Sequence, residues 1–388
     1  MAAKFWHTFG MACVGDLGFR CRSVAWGMRF LLFVFFLCAL GLPILWSGAL
    51  LRAQAASTPQ DGPIHTLHVY TNLIQMPTLV LGPYREKLKK PIAESRFSVS
   101  IDSGRWFPAT HVRLEGDDPI SLSILLDVGG DATDLVPKID DAIAGLVPLS
   151  LHPVDHISIY ALDCSLVRSW NNVSAGNEGL KDAVDNALQS WTIRRQKKHG
   201  PNCRQSIHLW DALAYLIGES YKLPGRRVIL VMSDGKDRGS ENSWNDVRLY
   251  AQVTGVAVFG LTSMPQYGTS DNRRFLQLGG ESPFPSICEL SGGMVMFTST
   301  RSLEETLTRF VAMLRERYIV EFPRPANSTA GSHDIRVTIA KGEGNFIRSS
   351  GISVPLPDAA VLRDPTTVPS DPSLTPEQGT RAPMKKPQ

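Results

Sequence analysis

Two aspartates, each standing at the end of a short apolar run, are the residues of this chain whose types and placement point to chemistry. Ser121-Leu-Ser-Ile-Leu-Leu-Asp127-Val-Gly-Gly-Asp131 is almost wholly apolar until it stops on an acid, passes two glycines and reaches a second acid. Arg227-Val-Ile-Leu-Val-Met-Ser-Asp234-Gly235 repeats that grammar further along. Apolar runs this short and without alternation suit strands covered on both faces, as in a parallel sheet flanked by helices. In such sheets ligands bind at the carboxyl ends of the strands, where the strand order reverses. Two strands that each deliver an aspartate to that edge make a candidate cation site.

The elements that must position these acids are legible around them. From Ile120 onward, strand and helix patterns alternate. Ser121 to Leu126 is a strand, and Asp134 to Leu146 has helical spacing through Leu135, Ile139, Ile143 and Leu146. His156 to Leu162 and Leu166 to Trp170 read as strands joined by a tight turn, hence antiparallel neighbours. Helices follow at Leu180 to Trp191, Leu209 to Tyr221 and Ser243 to Val253, with strands at Val228 to Met232 and Val256 to Leu261. A short helix stops on Gly292-Gly293, Met294 to Phe297 is the last strand, and Ser302 to Arg317 is a long amphipathic helix. One hairpin among βα alternations predicts an α/β fold: a doubly wound, mostly parallel sheet with one antiparallel edge strand. β-type segments flank this unit. Leu67 to Leu81 and Phe97 to Leu114 precede it, and Tyr318 to Phe322, His333 to Ile339 and Phe346 to Val354 follow. The expected organisation is a leader over 1–56, a β segment over 57–117, the α/β unit over 118–317, a second β segment over 318–354 and a tail over 355–388. That tail is rich in proline and poor in apolar residues, so it is expected to be disordered.

The bulk numbers exclude some classes. The chain has 388 residues, 43% hydrophobic and 20% charged, with a formal net charge of +3. That balance is too mild to argue for nucleic acid, and no basic run interleaved with aromatics occurs. Arg29 precedes an uncharged apolar run from Phe30 to Leu51, followed by a small-x-small site at Ala53 and Ala55. This is the pattern of an export signal, with Met28 a more conventional start than Met1. The run is also long enough to span a bilayer, so a cleaved signal and a retained anchor both fit. Either places the bulk of the chain beyond the cytoplasmic membrane. Outside the leader stand Cys164, Cys203 and Cys288. A Cys164–Cys203 bridge is one reading and three buried thiols the simpler one. No Cys/His cluster suggests zinc.

Taken together and in order, these motifs resemble the von Willebrand factor type A superfamily, in particular the secreted variety of acidobacteria. The residues that carry the resemblance are Pro119 to Asp131, Leu209-Trp210-Asp211-Ala212-Leu213, Val228 to Gly235, Ser291-Gly292-Gly293 with the helix after it, and Tyr318-Ile319-Val320. The match runs over about residues 66 to 354. The resemblance implies that the strands ending in Asp127 and Asp234 are neighbours. It also implies a protein partner held at the strand-end face through a divalent cation, whose ligands are an Asp and two Ser from the first loop, a Thr from the second and an Asp from the third. Hydroxyl ligands leave a hard cation such as Mg2+ net positive, able to capture a partner's carboxylate.

This chain departs from that ligand set. Asp127 and Asp234 remain, Gly129 replaces the first Ser, and Asp131 replaces the second and adds charge. The Thr position falls on Ile207, with Ser206 one place off. The candidate metal residues are therefore Asp127, Asp131, Asp234 and, weakly, Ser206, for Mg2+ or another divalent cation. A site of altered preference and a vestigial one both remain open, and the bland role of Asp131 is to cap the helix after it. Lys236 and Asp237 read as a solvated pair, and His208 as packing beside Trp210. Asn172-Val-Ser174 and Asn327-Ser-Thr329 match the glycosylation sequon, which matters only in a eukaryotic secretory pathway.

No nucleophile with a paired base, no phosphate loop and no cofactor motif stands out, so the expectation is a non-enzyme that binds a protein partner. One rival is a Mg2+-dependent phosphohydrolase of the haloacid dehalogenase type, which needs Asp-x-Asp at its first strand. Here the second position is Gly129. The other rival is a structural envelope component with a dead metal site.

Overall fold

The computed structural model describes residues 73–129, 131–163, 165–196, 208–237, 239–263, 283–325, 331–342, 344–350, 353–354 and 377–379. The leader, Cys164, Cys203, Ser206, the Asn327 sequon and most of the proline-rich tail lie outside these residues. In chain order the elements begin with β1 (Leu73–Leu81), β2 (Phe97–Ile101), β3 (Phe107–Pro108) and β4 (His111–Leu114). The α/β unit follows: β5 (Ile120–Asp127), a 3-10 turn (Asp131–Lys138), α1 (Ile139–Ala144), α2 (Leu146–Leu149), β6 (His156–Leu162), β7 (Leu166–Ser174), α3 (Leu180–Gln196), α4 (Leu209–Ser220), β8 (Arg226–Met232), α5 (Trp244–Thr254), β9 (Ala257–Ser263), α6 (Pro283–Leu290), β10 (Val295–Thr298) and α7 (Leu303–Arg315). The chain closes with β11 (Tyr318–Pro323), β12 (Gly331–Ser332), β13 (Ile335–Ile339), β14 (Phe346–Ser349) and β15 (Ser353–Val354).

Six strands form the central sheet in the order β10-β9-β8-β5-β6-β7. Every pairing is parallel except β6 with β7, the hairpin at one edge. This is a von Willebrand factor A-like arrangement, as the order of motifs implies. The reversal of strand order falls beside β5, so its carboxyl end and that of β8 share one crevice. The continuous apolar runs are buried on both faces because alternate residues enter different cores. Leu122, Ile124 and Leu126 of β5, with Val228, Leu230 and Met232 of β8, pack with α1, α3 and α7. Leu125, Ile229 and Val231 pack with α4, α5 and α6. The serines of β5 lie on this second side without waste: Ser121 Oγ donates to Pro224 O at 2.7 Å and Ser123 Oγ meets Ser220 Oγ at 3.2 Å.

The helical spacing predicted from Asp134 to Leu146 resolves into a 3-10 stretch, α1 and α2 rather than one helix. Pro137 accounts for the 3-10 stretch, since it has no N–H to continue the ladder and restricts the residue before it. α7 is the amphipathic helix expected, with Leu303, Leu307, Phe310, Val311 and Leu314 inward and Phe310 edge-on to Phe259 at 5.2 Å. Cys288 is free and buried, and burial pushes its thiol up. No helix among the described residues is long and apolar enough to cross a membrane.

The two flanking β segments interleave. β1 lies between β14 and β11, β11 pairs in turn with β4, and β13 pairs with β2. Phe97, Val99 and Ile101 of β2 share a core with Met76 and Val80 of β1 and with Tyr318, Val320 and Phe322 of β11. Leu79 and Leu81, on the other face of β1, join the core under α7.

Charges close the junction where the chain enters and leaves the α/β unit. Arg317 and Glu115 are both 1% exposed. Nε and Nη2 of the arginine reach the two carboxylate oxygens at 2.7 and 2.8 Å, the bidentate geometry that suits a desolvated pair. Asp155 accepts from the backbone N–H groups of Ile120 and His152 and pairs with Arg315. Arg113 and Arg226 converge on Asp118 at 2.6 and 3.1 Å. Burial alone would raise the Asp118 carboxyl, but hydrogen bonds and charge attraction from those two arginines outweigh it and hold it below its ordinary value.

Arg317→Met alone leaves Glu115 buried with Arg226, 3.6 Å away, as its remaining cation among the described residues, and should cost about 3–5 kcal/mol. Replacing both partners, Glu115→Leu with Arg317→Met, should restore most of that. The urea midpoints of the three chains measure it, and equal loss in the single and double variants would show that the pair is not coupled.

Candidate functional site

Register brings the strand-terminal acids to one edge. Leu126 pairs with Met232, so Asp127 is level with Ser233 and Asp234 stands one residue beyond. Asp127 is 1% exposed. Its Oδ2 accepts from Ser233 Oγ at 2.6 Å and its Oδ1 from the Gly129 N–H at 3.2 Å. Ser233 Oγ itself accepts from the Gly235 N–H at 3.0 Å, so a backbone donor feeds the hydroxyl that feeds the carboxylate. Asp234 holds its own loop. Oδ1 accepts from the Lys236 N–H and Oδ2 pairs with the Lys236 ammonium, both at 3.1 Å. Gly235 has φ +74°, and a Cβ there would sit 2.7 Å from the Phe284 side chain. Glycine after Asp234 is thus needed both for the turn and for seating α6.

Asp131 is the first residue of the 3-10 turn after β5; its side chain, like Ser206, lies outside what is described. Of the four predicted site residues, the structure therefore brings Asp127 and Asp234 to one edge. Two others at this edge escaped the sequence reading. Asp163 is buried just past the end of β6, and Ser233 is the hydroxyl that binds Asp127. The signal for Asp163 was present, since Leu162-Asp163 repeats the apolar-run-then-acid pattern.

The loop after β8 is tied to the start of α4 by reciprocal bonds. Asp237 Oδ1 accepts from the Trp210 N–H at 3.1 Å and from Ser240 Oγ at 2.6 Å. Ser240 Oγ accepts from the Asp211 N–H at 3.3 Å. Asp211 in turn accepts from the N–H groups of Glu241 and Asn242 at 3.0 and 2.9 Å. Asp237 is therefore a helix cap rather than half of a solvated pair with Lys236, whose ammonium goes to Asp234. His208 precedes α4 half-exposed, with Nδ1 3.6 Å from Asp211 Oδ2. Burial alone would raise the Asp211 carboxyl. The backbone donors of Asn242 and Glu241, the Asn242 amide and attraction to His208 overcome this and set it below its ordinary 3.8.

The divalent cation implied by the resemblance needs about six oxygens around a hard ion. On this edge the Asp127 oxygens already accept from protein donors, Gly129 contributes an N–H rather than a ligand, and the Lys236 ammonium neutralises Asp234. Among the described residues no group of three or more His, Cys, Asp or Glu is gathered to hold a metal. The described donors do not fit that ion.

Among solved structures, the chain is similar to the conserved hypothetical protein BatB of Bacteroides thetaiotaomicron, at 17% identity and TM-score 0.35, covering 50% of this chain and 98% of that one. It is also similar to proximal thread matrix protein 1 of the mussel byssus, at 12% identity and TM-score 0.39, covering 55% of this chain and 51% of that one. A third is the manganese-loaded TRAP protein of Plasmodium vivax, at 14% identity and TM-score 0.31, covering 63% of this chain and 98% of that one. No protein-family model matches the chain, and no curated protein matches it.

A carboxyl held low in the folded state stabilises above its unfolded value and loses that contribution as pH falls through its folded value. Asp211→Asn should accordingly melt about 2–4 °C below the parent at pH 7, the equivalent of one lost hydrogen bond. The gap should narrow below the ordinary value of 3.8. Thermal melts of both chains across pH 2 to 7 measure it, and a gap independent of pH would contradict this role.

Proposed function

We propose that this chain is an exported protein-docking module that uses the carboxyl edge of its six-stranded sheet and needs no divalent cation in the contact. The observation that carries the reading is that two acids at this edge, Asp127 and Asp234, are partnered from within the chain. Asp127 is satisfied by Ser233 and Gly129, and Asp234 by Lys236. A site organised this way offers a partner an exposed ammonium and ordered backbone. It does not offer an unsaturated metal or a reactive carboxylate. Phe297, exposed near the carboxyl end of the outer strand β10, adds an aromatic of the kind that anchors protein contacts. Export rests on the Arg29-flanked apolar run from Phe30 to Leu51. Fold alone does not settle function; the internal pairing of these two acids is what favours binding over phosphoryl chemistry.

A photo-crosslinking residue in place of Glu241, exposed in the loop after β8, in the full chain irradiated with envelope extract of the host, should give a discrete protein adduct. The same probe in place of Tyr84, which is fully exposed in the loop after β1, should not. Adduct yield should be unchanged by EDTA. Yield abolished by EDTA would restore a metal-bridged contact, and phosphatase turnover lost in Asp127→Asn would overturn the binding reading.

A further inference from the structure

The end of β2 carries a turn that its own residues do not favour. Asp102 and Ser103 both adopt left-handed backbone, with φ +49° and +61°, and the Gly104 N–H closes back on Ile101 O at 2.8 Å. Tight hairpin turns of this hand usually take Asn-Gly or Asp-Gly. Two consecutive residues with Cβ atoms hold it only where their surroundings over-determine it. Here the surroundings come from two distant places in the chain. His333 Nδ1 lies 2.7 Å from Asp102 Oδ2, and the Asp334 N–H donates to Oδ1 at 2.9 Å. The second contributor is the short stretch Glu377-Gln378-Gly379, inside the span expected to be a disordered tail.

That stretch is seated by three kinds of contact. Gln378 forms a parallel bridge with Ile101, and the Gly379 N–H donates to Ile101 O at 3.0 Å. The Gln378 side-chain amide donates to Asp102 Oδ2 at 2.9 Å. Two glycines interlock the backbones: a Cβ on Gly104 would strike Glu377 O, and one on Gly379 would strike Asp102 O. The side chains of His333 and Asp102 are only 6% and 10% exposed. Burial alone would raise Asp102, but the bonds from His333, Asp334 and Gln378 outweigh it and hold its carboxyl low. An ionised carboxylate is acceptor-only and therefore selects donors.

We propose that the Ile101–Gly104 turn, with Asp102 and His333, is a peptide-binding site for an extended Gln-Gly segment, filled by the chain's own Glu377–Gly379. Backbone pairing supplies the affinity, as in strand addition. The Asp102 carboxylate reads the glutamine amide, and the close backbone approach admits only glycine next to it. Because the segment belongs to the same chain, its effective concentration at the site is high. A free peptide meets an occupied site.

The probe is a labelled synthetic peptide spanning residues 372 to 383, added to the full chain and to a Gly379→Val full chain whose tail cannot seat. The variant should bind the peptide, and the parent should bind it at least about tenfold more weakly. A peptide carrying Gln378→Ala should lose about tenfold on the variant. Asp102→Asn placed in the variant keeps a residue tolerant of left-handed backbone and should weaken binding similarly. Deuterium uptake over residues 97–104 and 333–339 should rise in Gly379→Val. Peptide binding no stronger to the variant than to the parent, or uptake unchanged between them, would overturn the proposal. Protection in the parent that fades on dilution would assign the seat to a second copy's tail and overturn the within-chain arrangement.

Discussion

Two groups that strongly prefer water, the Arg317 guanidinium and the Glu115 carboxylate, lie wholly inside this protein, 202 positions apart in sequence. Neither could be there alone, since an unpaired buried ion costs several kcal/mol even after relaxation. Their mutual requirement ties the residue after β4 to the residue before β11. Backbone bonds repeat the tie, Glu115 N–H to Arg317 O at 2.7 Å and Gly116 N–H to Arg315 O at 2.8 Å. With entry and exit clamped, β4 and β11 must leave the α/β unit side by side, and their pairing brings β1, β14 and the β2–β13 pair onto one shared core.

The central sheet meets a different constraint. With both faces covered, each strand must divide its side chains between two cores, which is why its runs are continuously apolar rather than alternating. Charged groups are confined to the strand ends, and in such sheets the ligand crevice lies at the carboxyl edge. The consequence is visible in Asp127, Asp163, Ser233 and Asp234, which all stand at or just past the ends of β5, β6 and β8. Acids so close would repel if left bare. In Asp127 and Asp234 the repulsion is met by a hydroxyl, backbone donors and one lysine.

The same economy governs the loop after β8. Helix α4 begins with orphan N–H groups, and the loop lacks regular backbone pairing. Each supplies what the other lacks through Asp237, Ser240 and Asp211. An acid that looks like a solvated charge in sequence becomes a cap because of what folds beside it.

Much of this was legible from residue order. The strands ending in Asp127 and Asp234, the β6–β7 hairpin, the helix stop at Gly292 and the amphipathic α7 all follow from local pattern, because burial on one face or two leaves its period in the chain. The pattern also showed which acids would reach the ends of strands. Local pattern could not show what those acids touch. The Ser233 bond to Asp127, the capping by Asp237, the Arg317–Glu115 clasp and the seating of Gln378 against Asp102 join residues that are neighbours only in space. Periodicity reports the environment a residue needs; the identity of its partner is a property of long-range register and close packing, which only the folded chain decides.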